Sequence, residues 1–104
     1  MGVDDGCDLF LHDIGIDVKS TFYKTGKMLF KSREAFKADA CILVTATDQP
    51  NEMEVVGWLS RKEFLEVSEK SQLGQYSGGF AVEQEKLRPL SDLWHIYKKR
   101  ELSK

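Results

Sequence analysis

An α+β fold is what this sequence predicts, a mixed sheet of four to five strands with flanking helices. Three observations lead there. Two alternating runs, residues 7–11 and 14–20, are separated only by His12-Asp13, the pattern of a hairpin. The run Ala40–Ala46 is apolar on both faces, as a central strand must be. Ser60 followed by Glu63 opens a helix with a capping box.

A two-residue turn at His12-Asp13 pairs Leu11 with Ile14, Phe10 with Gly15, Leu9 with Ile16 and Asp8 with Asp17. Cys7, Leu9 and Leu11 then share an apolar face with Ile14, Ile16 and Val18 and meet the core, while Asp8, Phe10, Asp17 and Lys19 take the opposite face. Gly15 marks a site for a bulge. Thr25-Gly26 turns the chain into a short strand at 27–31, and 32–37 is a loop or one helical turn. A turn at 48–51 leads into a strand at 53–59, and the helix from Ser60 runs to about Lys70, burying Phe64, Leu65 and Val67. Residues 74–79 form a flexible loop before a small edge strand at 80–82. Ser91 caps a last helix that packs through Leu93, Trp94 and Tyr97. Trp58 and Trp94 belong to the core, with a dimer contact as the alternative for Trp94.

The chain has 104 residues, the size of one domain, so 1–104 is read as a single unit. No apolar run approaches the roughly 18 residues of a membrane span, and no basic-then-apolar leader is visible. Cys7 and Cys41 lack metal-ligand spacing and read as buried free thiols of a reducing, cytoplasmic compartment. His12 and His95 read as surface or packing residues, and neither a catalytic triad spacing nor a glycine-rich phosphate loop occurs.

Net charge is −2, but its distribution is uneven. Residues 1–18 carry five acids and no Lys or Arg, while 19–37 carry six basic residues against the single acid Glu34. An acidic hairpin followed by a basic segment suits a metal site beside a phosphate track. Asp8 facing Asp17 is a like-charge pair that a divalent cation would relieve. With Lys19 on the same side, these are the parts needed to hold a metal and activate water against a phosphodiester.

The order Cys-Asp-Leu-Phe-Leu, a short turn, then Ile-Asp-Val-Lys-Ser-Thr resembles the PD-(D/E)XK nuclease superfamily, whose members carry an acid on one strand and Asp/Glu-x-Lys on the next. Asp8 matches the first acid and Asp17-Val18-Lys19 the second element. Lys24-Thr25-Gly26, the entry Ala38-Asp39-Ala40, Val55-Val56-Gly57-Trp58 and the stretch 86–93 are similar to a small phage-associated branch of restriction-endonuclease-like and junction-resolvase-like enzymes.

The resemblance implies that Asp8, Asp17 and the main-chain carbonyl of Val18 bind Mg²⁺ or Mn²⁺, and that Lys19 orients the attacking water. It further implies that Ser20, Thr21, Lys24, Lys27, Lys31 and Arg33 contact the DNA backbone, and that the enzyme is an endodeoxyribonuclease acting as a homodimer in the cytoplasm of a bacterium or a phage host. Many members place a Glu-bearing helix before the first strand. Only six residues precede Cys7, so Asp4 and Asp5, or a second subunit, are expected to supply that acid. The competing expectations are a catalytically incomplete nucleic-acid-binding or accessory module of the same fold, and a small regulatory domain whose acidic cluster is only structural.

Overall fold

The structure, a computed structural model, describes residues 7–11, 13–70 and 79–102. Along the chain these form β1 (Leu9–Leu11), β2 (Ile14–Thr21), β3 (Met28–Phe30), a 3-10 turn at Arg33–Ala35, β4 (Ala40–Ala46), β5 (Met53–Ser60), α1 (Arg61–Val67), β6 (Glu69–Lys70), β7 (Phe80–Val82), a 3-10 turn at Gln84–Lys86 and α2 (Leu90–Leu102). The result is an α+β fold with a mixed four-stranded sheet, ordered β1-β2-β4-β5, and two helices.

The hairpin register is the one the alternation requires: Leu9 opposite Ile16, Phe10 opposite Gly15, Leu11 opposite Ile14. His12, read from the sequence as part of the turn, lies outside the described residues. β2 then runs parallel to β4, which pairs antiparallel with β5. β4 is thus central, in keeping with its apolar faces. The irregularity falls between Leu43 and Val44 in the β4–β5 ladder, not at Gly15.

Both faces of this sheet are covered. Under α2 lie Ile14, Ile16, Ala40 and Trp58, packed against Leu93 of the helix. The other face carries the larger core, built on Met28, Phe30, Phe36, Leu43, Leu59, Phe64 and Val82. That core is closed by a second sheet, three-stranded and ordered β3-β7-β6. The strand expected at 80–82 is therefore the middle of a sheet rather than an edge, and β3 leaves the main sheet to pair with it. The loop read at 74–79 lies outside the described residues up to 78.

Three further expectations are corrected. α1 ends at Val67, because Ser68 turns extended (φ −70°, ψ 148°) and Glu69–Lys70 pair with β7. Its capping box is present, with the Glu63 N–H donating to Ser60 Oγ at 3.1 Å and the Ser60 N–H to Glu63 Oε1 at 3.0 Å. Leu65 is exposed; Phe64 carries the helix's burial. Trp94 is half exposed and stacks on Tyr97 with ring centroids 5.1 Å apart, while Trp58 is core.

Arg88 ties the start of α2 to the sheet. It exchanges both backbone hydrogen bonds with Trp58, lies 4.6 Å over the Trp58 ring, and pairs with Glu63 and Asp92. Burial pushes the Glu63 carboxyl up, but the Ser60 N–H and hydroxyl and the Arg88 guanidinium outweigh it and leave it below the usual range. Gly57 permits this approach: a Cβ there would sit 2.7 Å from the Arg88 carbonyl oxygen.

Candidate active site

The hairpin brings Asp8, Asp17 and Lys19 together, at the rim of the larger core. Asp8 sits one residue before β1, and its N–H still donates to the Ile16 carbonyl at 2.7 Å. Its carboxylate then turns in and accepts the Val18 N–H at 2.8 Å, where a longer β1 would have offered a carbonyl. The side chain of Asp8 thus ends the ladder. In a strand the N–H and C=O of one residue leave on the same side. The Val18 carbonyl therefore also points to the edge where β1 has stopped, beside Asp8.

Asp17 is the half-buried member. Strand alternation sends it to the face of Cys41, its partner across the parallel β2–β4 pairing. Burial raises its carboxyl above the ordinary value of 3.8 first; hydrogen bonding with the Asp8 carboxyl and the charge of Asp8 raise it further, against the Lys19 ammonium and the Val18 backbone. Two carboxyl groups in one another's reach resist double ionisation, the condition a proton or a cation relieves.

Lys19 Nζ is 3.7 Å from Asp17 Oδ2 and 4.6 Å from the centroid of Phe30. The Phe30 ring, fixed in the core, gives the ammonium a second support. Phe30 was invisible as a site residue in the sequence, since nothing local says that β3 returns to β2. Cys41 was missed for the same reason. Burial, and secondarily the charge of Asp17, pushes its thiol up to about 12, so it stays protonated and is no nucleophile.

Cys7 lies elsewhere than expected. It packs on the Gly15–Asp17 side, toward the larger core, and a Cβ on Gly15 would fall 2.6 Å from its Sγ. Asp39 closes the same corner: its carboxylate accepts the Gly15 N–H at 2.8 Å and its own N–H donates to the Gly15 carbonyl at 2.9 Å.

The residues expected to contact phosphates are dispersed. Thr21 shares the face of Lys19, but its hydroxyl accepts the Tyr23 N–H at 3.1 Å. Ser20 is exposed and alternates to the opposite face, with Ile16 and Val18. Lys24 pairs with Asp48 at 2.7 Å and Lys27 with Glu83 at 3.8 Å. Lys31 is exposed, directly after Phe30. Arg33 contributes backbone to a 3-10 turn, and its side chain lies outside the described residues.

As a donor set, two carboxylates and a main-chain carbonyl are hard oxygens. They fit Mg²⁺, which accepts one or two carboxylates and keeps several waters. No cluster of three or more His, Cys, Asp or Glu suited to a metal occurs among the described residues. Also among them, no helix is long and apolar enough to cross a membrane. Neither family models, curated proteins nor solved structures show a match to this chain.

The elevated Asp17 carboxyl has a consequence for stability. The folded state binds that proton more tightly than the unfolded chain, so stability falls as pH rises from 3.8 through the folded-state value and stays level above it. Asp17→Asn removes the penalty. The variant is expected to melt above the parent at pH 7 and together with it at pH 3, read by thermal unfolding at both pH values. A lower melting temperature for Asp17→Asn at pH 7 would show that the carboxylate is compensated.

Proposed function

We propose that this chain is a metal-dependent nuclease of the PD-(D/E)XK type, hydrolysing DNA phosphodiesters at Asp8, Asp17 and Lys19. The observation that carries this function is the placement of the half-buried Asp17 carboxyl within hydrogen-bond reach of the Asp8 carboxyl, with an ammonium 3.7 Å away that an aromatic ring supports from below. Asp8, Asp17 and the Val18 carbonyl would hold Mg²⁺ or Mn²⁺, which when bound would supply a Lewis acid to activate water and polarise the phosphate. Lys19 Nζ orients the water and neutralises charge growing on the phosphate oxygens. Lys31 and, once they exchange their acid partners, Lys24 and Lys27 contact neighbouring phosphates, which fixes position without reading bases. The working form is a homodimer, in which two symmetric sites would cut the two strands of a duplex or branched substrate. Exposed Leu9 and Phe10 on the edge strand β1, and Trp94 beside an apolar groove of about 380 Å³, offer it a surface. Such an enzyme acts in the cytoplasm of a bacterium or a phage host.

The test is cleavage of supercoiled, linear and four-way-junction DNA with Mn²⁺, Mg²⁺ or EDTA. Metal binding is checked separately. A cation that binds only the native state stabilises it by about 2.7 kcal/mol at a hundredfold excess over Kd. Mn²⁺ is expected to raise the melting temperature of the parent and not of Asp17→Asn; equal shifts in both would remove Asp17 from the metal site.

A second reading, a binding module of the same fold without turnover, is favoured by one observation. Among the described residues the acidic set stops at two carboxylates, one of them engaged by the Val18 N–H. It predicts DNA binding that EDTA leaves unchanged and no cleavage by the purified chain.

A further inference from the structure

Where β2 ends, two consecutive aromatic side chains stand in solvent, Phe22 at 89% and Tyr23 at 78% exposure. Large apolar side chains that stay this open mark contact surfaces when they adjoin one another. Their backbone is held. The Tyr23 N–H donates to Thr21 Oγ1 at 3.1 Å and the Gly26 N–H to the Tyr23 carbonyl at 2.9 Å. Gln84 Nε2 then clamps the carbonyls of Lys24 and Gly26, each at 2.9 Å. Gly26 packs against the Thr21 methyl, where a side chain would collide. The two rings are presented on a fixed turn.

The surroundings select the partner. Lys24 lies within the turn and Lys27 just after it, in solvent-accessible ion pairs that a phosphate can replace. Lys19 lies near the end of β2, two residues before the strand stops at Thr21 and three before Phe22. A polyanion with flat faces fits a basic segment that carries bare rings, whereas paired bases are not available for stacking. We propose that Phe22 and Tyr23 form a stacking platform for unpaired nucleobases, so that the substrate of the neighbouring site contains single-stranded DNA. The proposal deepens the nuclease function and depends on it for the word substrate; the stacking itself does not need hydrolysis.

The test uses the full chain in EDTA at one fixed salt concentration. Fluorescence anisotropy compares a labelled oligodeoxythymidylate, an abasic oligomer of the same length and a duplex. The parent is expected to bind the thymidylate about tenfold or more tighter than the abasic strand, the scale of one stacked base. Phe22→Ala/Tyr23→Ala erases that preference, as does Phe22→Leu/Tyr23→Leu, which keeps apolar surface without a π face. Asp17→Asn keeps it. Both double variants should melt with the parent, because the replaced side chains pack against little.

Equal affinity for thymidylate and abasic strands overturns the platform, as does retention of the preference in the leucine variant or a failure to bind any of the three probes. Loss of self-association in the alanine variant, with strand preference intact, assigns the rings to a protein contact and also overturns it. Hydrolysis is separable: a parent that prefers thymidylate in EDTA but cuts nothing with Mn²⁺ keeps the platform and loses the nuclease function. A parent that cuts without the preference does the reverse.

Discussion

Lys19→Ala is expected to lower metal-dependent strand cleavage about 10²–10³-fold, the scale seen when one donor to developing negative charge is removed. The protein should nevertheless keep its fold. The Lys19 side chain is 41% exposed, so its pair with Asp17 contributes at most about 1 kcal/mol to stability. A rate loss of that size with an unchanged melting temperature separates a chemical role from a structural one. Lys19→Arg sharpens the comparison. It preserves charge, but a planar fork replaces a point charge above the Phe30 ring, and the two cations are not interchangeable in such a seat. An intermediate rate is expected. Cleavage by Lys19→Ala at the parental rate would sink the assignment of the site, whatever the metal dependence.

The hairpin was legible in the sequence because its information is local. Alternation over 14–20 and a two-residue turn leave one register that buries Ile14 and Ile16, and a slip of one residue would expose both. The central position of Ala40–Ala46 was legible for a similar reason, since a strand apolar on both faces has no place at a boundary. What could not be read was carried by contacts between distant segments. Met28–Phe30 and Phe80–Val82 are three residues each, too short for a pattern to say whether they join the main sheet or pair with one another. The end of α1 was misplaced because no Gly or Pro directly follows Val67, the first being Gly74. Pairing of Glu69–Lys70 with β7 overrides a helical periodicity that continues through them. At the site, the acids and the lysine followed from spacing. The ring beneath Lys19, the thiol beside Asp17 and the face taken by Cys7 depend on how β3, β4 and the residue before β1 come together.

Phe64→Ala is expected to cost about 3–5 kcal/mol, the usual range for truncating a buried phenylalanine. Phe64 is fully buried and closes a triad of rings, 5.1 Å from Phe30 edge to face and 5.3 Å from Phe36, while Phe30 and Phe36 stack at 4.7 Å. Each lost aromatic contact adds to the transfer and cavity terms. Against a total stability of about 5–15 kcal/mol for a domain of this size, the variant should be marginal at 37 °C. Urea unfolding checks this through a lower midpoint at an unchanged slope. The same triad reaches the site, because the buried Phe30 ring lies under the Lys19 ammonium and packs edge to face against Phe64. Phe64→Leu, which keeps most of the volume, should hold Phe30 in place and retain cleavage even as stability falls. Phe64→Ala, assayed where it remains folded, should lose cleavage beyond its loss of folded protein, because the ring beneath Lys19 is free to tilt into the cavity. Equal specific activities per folded molecule in the two variants would show that Phe64 does not position Lys19 through Phe30.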